Sequence, residues 1–124
     1  MPILNVQIVQ GRSAQQKTDL LKRVSQAVVD SLAAPLASVR VVLHEVPPGH
    51  VIVAGEVGKD TAVLRVMLIE GRTEEQKAAL FAAVSRAVHE SIAISEQDIR
   101  IIITDVPKID MGVAGGVSAK ASGR

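Results

Sequence analysis

Apolar and polar residues alternate at the start of the chain, with Leu4, Val6 and Ile8 set between Asn5 and Gln7, the period-two pattern of a half-buried strand. After Ser13 the period lengthens: Leu20, Leu21, Val24, Val28 and Leu32 fall at helical spacing. The helix start is signalled by Ser13-Ala14-Gln15-Gln16, in which the hydroxyl can cap the third amide and the glutamine can reach back. A β-branched run, Ser38 to Leu43, follows. It is too continuous for a surface strand and is expected deep in a sheet. An apolar, glycine-bearing tail, Val51 to Gly55, closes the unit.

The same order then recurs. A shift of about 60 residues, without a gap, superposes Val6-Gln7-Ile8-Val9-Gln10-Gly11-Arg12 on Val66-Met67-Leu68-Ile69-Glu70-Gly71-Arg72. It also brings Gln16-Lys17 onto Gln76-Lys77, Arg40 onto Arg100 and Val46-Pro47 onto Val106-Pro107. The second copy has its own helix start at Thr73-Glu74-Glu75-Gln76, its own stripe of Leu80, Phe81, Val84, Val88 and Ile92, its own run from Asp98 to Ile103, and its own tail, Met111 to Gly115. The chain therefore reads as one α+β domain, residues 1–124, made of two fused repeats of about 1–58 and 62–117. Two β-α-β units, each with a right-handed crossover, can join edge to edge into a four-stranded sheet under two helices, with pseudo-twofold halves. Apolar tails left over once each core is complete suggest docking onto other subunits. Residues Ser118 to Arg124 read as a frayed end.

Composition narrows the function. Phe81 is the sole aromatic residue, so base-stacking platforms for single-stranded nucleic acid are absent. A net charge of +1 without a basic run argues against a nucleic-acid or membrane partner. The lack of cysteine excludes disulfide, thiolate and thiolate-metal chemistry. No signal core or membrane-length apolar run occurs, and a cytoplasmic protein is expected. His44, His50 and His89 have no convergent ligand pattern, so no metal site is expected.

The residue that stands out chemically is Pro2. If Met1 is removed, its nitrogen becomes a free secondary amine, which can act as a base once burial and nearby cations depress its pKa. A proline here also serves simply as a strand-entry residue with fixed φ. An arginine after a glycine at a strand end, such as Arg12 or Arg72, can likewise be an ordinary solvated corner, and an arginine in a β-run can snorkel at a sheet edge.

Pro2-Ile3, the strand ending in Gly11-Arg12-Ser13, Gln16-Lys17, the stretch Ala34 to Val41 and Gly49-His50 together resemble the 4-oxalocrotonate tautomerase family. The second half resembles the same unit through Gly71-Arg72 and Arg100, so the whole chain is similar to a fused, double-length form. The resemblance implies a cofactor-independent keto-enol isomerase of small 2-hydroxydienoates such as 2-hydroxymuconate, or of arylenolpyruvates, assembled as a homotrimer. It implies Pro2 as catalytic base and Arg72, Arg40, Arg12 and Arg100 as candidates for binding the carboxylates and the oxo group of the substrate. It further implies that Pro2 meets arginines of the other half or another chain, with Arg72 first among them.

Such a set makes chemical sense. Enol–keto transfer needs a base near neutral pKa and cations where charge collects on the dienolate oxygen. Guanidinium groups bind carboxylates bidentately without losing charge. The chain departs from the family at Ala62, which aligns with Pro2 but whose nitrogen is a peptide amide, and at Val51 and Met111, which replace an aromatic wall. Two further readings stay open: a non-catalytic ligand-binding or structural trimer with an inert proline, and a dehalogenase or hydratase of the superfamily, for which Glu56 and Asp110 would be the nearby carboxylates.

Overall fold

The computed structural model describes residues 1–124, and both alternating segments are strands. In chain order the elements are β1 (Ile3–Val9), α1 (Ala14–Leu32), β2 (Arg40–Val46), β3 (Ile52–Val53), β4 (Glu56–Val57), β5 (Ala62–Ile69), α2 (Glu74–Ile92), β6 (Ile99–Val106), β7 (Gly112–Val113) and β8 (Val117–Ser118). Both helices begin with a complete capping box: Ser13 accepts from the Gln16 amide and Thr73 from the Gln76 amide, with the glutamine side chains bonding back. Each satisfies backbone donors that the first helical turn leaves without an internal partner.

The main sheet has the order β2-β1-β5-β6. Strands β1 and β2 are parallel, as are β5 and β6, while β1 and β5 meet antiparallel at the centre. Asn5 lies opposite Arg65, with Leu4 opposite Val66 and Val6 opposite Leu64. Asn5 and Arg65 are equivalent residues of the two repeats, so the pseudo-twofold axis passes between them and carries one half onto the other. Leu4, Val6, Ile8 and their equivalents Leu64, Val66 and Leu68 point toward the helices, where Leu20, Val24, Val28, Leu80, Val84 and Val88 complete a single aliphatic core drawn from both halves. The opposite face carries no helix.

Three expectations change. The β-branched runs form β2 and β6, which are the edges of the sheet and not its interior. Their alternate residues are exposed, with Val42 and Ile102 about half so. The outward faces are mixed, Arg40, Val42 and His44 on β2 and Arg100, Ile102 and Thr104 on β6, while Val41, Leu43, Ile101 and Ile103 pack on the core. Phe81 and Leu21 leave the buried stripe, where Ala27 and Ala87 take their place beside the valines and leucines. Small residues at those positions let the two antiparallel helices approach closely.

The last correction concerns the C-terminal segment, which is ordered and not frayed. Strand β8 pairs with β7. Ala119 is fully buried against Met111 and Val113, with Met1, Ile3, Ile69 and Val106 packed on them. Amides of Ala119, Ser122 and Arg124 bond to the carbonyls of Met111, Ser118 and Ala119. The apolar tail of the second repeat is thus used within its own chain, whereas in the first Ile52 and Val57 remain largely exposed.

Candidate active site

Each of the two central strands ends in a glycine with positive φ, Gly11 at +131° and Gly71 at +115°, a region that side-chain-bearing residues rarely adopt. That turn swings Arg12 and Arg72 back toward the other repeat. The Nη1 of Arg72 donates to the carbonyl of Leu32, the last residue of α1, at 2.6 Å. The Nη2 of Arg12 donates to the equivalent carbonyl of Ile92, the last residue of α2, at 3.4 Å. A cation placed there satisfies an otherwise unpaired carbonyl and faces the negative end of the helix dipole. Both arginines are half-buried and anchored, not solvated corners.

Around these corners the sheet has two chemically different ends. At the first, Pro2 is buried and its carbonyl accepts from the Arg40 amide at 3.0 Å. The small apolar cluster of Met111, Val113 and Ala119 closes over Met1 and Ile3. The amine of Met1 is held below its ordinary value by partial burial first, then by the guanidinium groups of Arg72 and Arg124. Burial removes water from an ammonium and the nearby cations repel it, so both effects favour the neutral nitrogen. No carboxylate side chain lies within ion-pair distance of Arg72 or Arg124.

At the second end stands Ala62, buried and paired in the ladder opposite Ile8. Its nitrogen has no basicity. Arg12 is engaged by Asp60 in a two-point ion pair, 2.9 Å from Nη1 and 2.6 Å from Nη2. Beside it lies a cavity of about 370 Å³ lined by Gln7, Ile8, Val9, His50, Val53, Thr61 and their apolar neighbours.

The sheet register sorts the other arginines. Arg40 pairs with Ile3, beside Pro2, and by that register lies on the helix-free face, where its side chain is exposed. Arg100 pairs with Val63, at the Ala62 end, and donates to the carbonyls of Gln97 and Ile99. One chain therefore brings Arg72 and Arg40 to the Pro2 end and Arg12 and Arg100 to the Ala62 end. Glu56 and Asp110 are both exposed. His89 is bonded to the carbonyl of Ile94, and no three His, Asp or Glu side chains converge on a metal-sized site. Two residues of the ends carried no sequence signal: Asp60 sits in the joint between repeats, and Arg124 follows the point where the repeat stops.

Comparison with known proteins follows the same division. The sequence model described as "Tautomerase enzyme" matches twice in tandem, over residues 2–61 and 63–121. The 2-hydroxymuconate tautomerase of Stutzerimonas stutzeri is 48% identical over 59 residues, which is 48% of this chain and 94% of that protein, so one repeat corresponds to one whole relative. A fused 4-OT that forms a symmetric trimer is 53% identical with a TM-score of 0.96, covering 98% of this chain and 99% of that one. Pt0534, in a structure inactivated by 2-oxo-3-pentynoate, is 49% identical with the same TM-score and coverage. With both repeats matched and the whole fold superposed, the chain belongs to the tautomerase family of isomerases, in its fused, double-length form.

Proposed function

We propose that the protein is a cofactor-independent tautomerase that converts small 2-hydroxydienoates such as 2-hydroxymuconate to their 2-oxo isomers, from one site per chain built on Pro2. With Met1 removed, the Pro2 nitrogen is a secondary amine at the end of the sheet where burial and the nearby arginines already lower the basicity of the Met1 amine. It takes the proton of the 2-hydroxyl group; the electron pair passes along the diene, and the resulting prolinium returns the proton to the distant carbon. The reaction is a balanced isomerisation.

Arg72 faces this amine from the other repeat. Its guanidinium binds a substrate carboxylate or the developing oxyanion and depresses the pKa of the base. Arg40 and Arg100 complete the site from the helix-free faces of neighbouring chains in a homotrimer, where the bare edges bearing Val42 and Ile102 become covered. Arg12 is not assigned to the Pro2 site, because its guanidinium is already committed to Asp60 at the opposite end.

The observation that carries this reading is the place of the amino end: Pro2 is buried at the end of the sheet to which the glycine turn brings Arg72, and there partial burial, Arg72 and Arg124 lower the basicity of the Met1 amine. The deciding measurement is the intact mass of the purified protein set against its turnover of 2-hydroxymuconate. Protein beginning at Pro2 is expected to be active, with light scattering reporting a trimer. A fully processed, folded trimer without turnover of 2-hydroxymuconate or phenylenolpyruvate would leave the proline inert and the trimer a binding or structural module.

A further inference from the structure

The pseudo-twofold axis relates the Pro2 end to a second end, at Ala62, which has a pocket of its own. At the first end Met111, Val113 and Ala119 pack on Met1 and Ile3; the second holds a cavity of about 370 Å³, within the range of small-molecule sites. Its wall is mainly aliphatic, from Ile8, Val9, Val46, Val51, Ile52 and Val53, with Gln7, His50 and Thr61 supplying polar atoms. The Arg12–Asp60 pair does not line it but is joined to two residues that do. Arg12 donates to the carbonyl of Val9, which lines the cavity, and Asp60 directly precedes Thr61, which lines it too.

We propose that the Ala62 end is a second carboxylate-binding site, for a short aliphatic or unsaturated carboxylate, held shut by the chain's own Asp60. The geometry of the pair is that of a ligand complex. A planar guanidinium, its side chain only 13% exposed, offers two parallel donors, and the carboxylate that takes them both comes from a side chain 42% exposed. Asp60 thus caps a mostly buried cation from the more exposed side, one residue from the cavity-lining Thr61. Such two-point recognition is what makes arginine selective for carboxylates.

The tether explains why the site is closed. Asp60 lies two residues before β5, so its carboxylate is presented to Arg12 at an effective concentration that a free ligand does not match in dilute solution. Removing that carboxylate leaves a poorly hydrated guanidinium without a counter-charge, which favours capture of an anion from solution. The site has no base, so an occupant would be bound and not turned over.

The experiment counts bound cis,cis-muconate per chain by isothermal titration calorimetry in wild-type protein, in Asp60→Ala, in the isosteric Asp60→Asn, and in each combined with Arg12→Gln. The asparagine variant keeps the shape of the side chain and guards against loss of folding in the alanine variant, and circular dichroism verifies both. One additional muconate per chain is expected in the Asp60 variants, with amide shifts of Gln7, His50 and Thr61 on binding, and the added site is expected to vanish when Arg12 is also replaced. An unchanged count in folded Asp60→Asn, or an added site that survives Arg12→Gln, would overturn the proposal. The readout is the increment over wild type, whether wild type binds none or one, so it does not depend on Pro2 being catalytic.

Discussion

The two ends of the central strand pair are built from equivalent residues and hold opposite electrostatics. Arg72 caps α1 and faces an amine and a second arginine; Arg12 caps α2 and faces Asp60. Duplication supplied the same glycine turn, arginine and helix end twice, and the difference comes from what precedes each first strand. Before Ile3 stands Pro2, whose nitrogen is basic once Met1 is removed. Before Val63 there is a linker, whose nitrogens are peptide amides and whose aspartate neutralises the cation that remains. The comparison teaches that a fused repeat can keep its scaffold symmetric while the charges at its two ends diverge.

The strongest way to break that comparison is to take the basicity from the Pro2 nitrogen. Acetylated Pro2, or a variant that retains Met1, should lose roughly 10²- to 10⁴-fold in kcat, the usual contribution of a positioned base. Pro2→Ala keeps a free but primary amine and should fall between. Stopped-flow turnover of 2-hydroxymuconate on protein of verified mass measures this. Equal activity in processed and acetylated protein would place the base elsewhere.

The arginines give the next effect, and here the two ends should cross. Arg72→Ala should cost about 2 to 4 kcal/mol of transition-state stabilisation, or about 30- to 1,000-fold in kcat/KM. It should also move the acidic limb of the pH–rate profile upward, because a cation that disfavoured protonation of the amine has gone. Arg12→Ala should leave that limb in place. The stability order should reverse: Arg12→Ala breaks a two-point ion pair as well as a helix-end bond and should cost about 1–3 kcal/mol, whereas Arg72→Ala loses one carbonyl bond and relieves repulsion of the amine. Urea midpoints of both variants, beside their pH–rate profiles, test the crossing.

The amine also links stability to pH. Its folded-state pKa lies below the ordinary value near 8.0, so between the two values the unfolded chain binds more protons than the native one. Stability should therefore rise with pH through that window and level off above it. Arg72→Ala should flatten the rise, a smaller effect than either substitution has at its own site. Melting temperatures between pH 6 and 9 report it.

Which of these features were legible in the sequence follows from their range. The capping boxes at Ser13 and Thr73 are set by residues three apart, and the alternation in β1 and β5 by residues two apart, so both were readable. The edge position of β2 and β6 was not. A run such as Arg40 to Val46 reports strand propensity, without saying whether the strand lies inside the sheet or at its edge. Asp60 was hidden because the repeat register has no residue before Met1 to compare it with. The Ser118–Arg124 segment lacks periodicity, and its order depends on Ala119 meeting Met111 and Met1 from distant parts of the chain. The arginines at the corners were readable as residue types, but their division between the two ends was set by the antiparallel pairing of β1 with β5.

The finest comparison is between the two helix ends that the arginines cap. Ala33 and Ala93 follow α1 and α2 in the left-handed region, at φ of +52° and +56°. That conformation costs an alanine about 1–2 kcal/mol through its Cβ, and glycine avoids the cost while losing about 0.4–1 kcal/mol to the greater freedom of the unfolded chain. Ala33→Gly and Ala93→Gly should each stabilise the fold by roughly 0.5–1 kcal/mol, to similar extents, because the backbone strain is the same at both. Their consequences for catalysis should differ. Leu32, whose carbonyl holds Arg72 at 2.6 Å, directly precedes Ala33, so loosening that turn reaches the Pro2 end, while Ala93→Gly reaches only the pair of Arg12 with Asp60. A small rise in KM is expected for Ala33→Gly and none for Ala93→Gly. If the two variants shift KM equally, the position of Arg72 is not set by the end of α1.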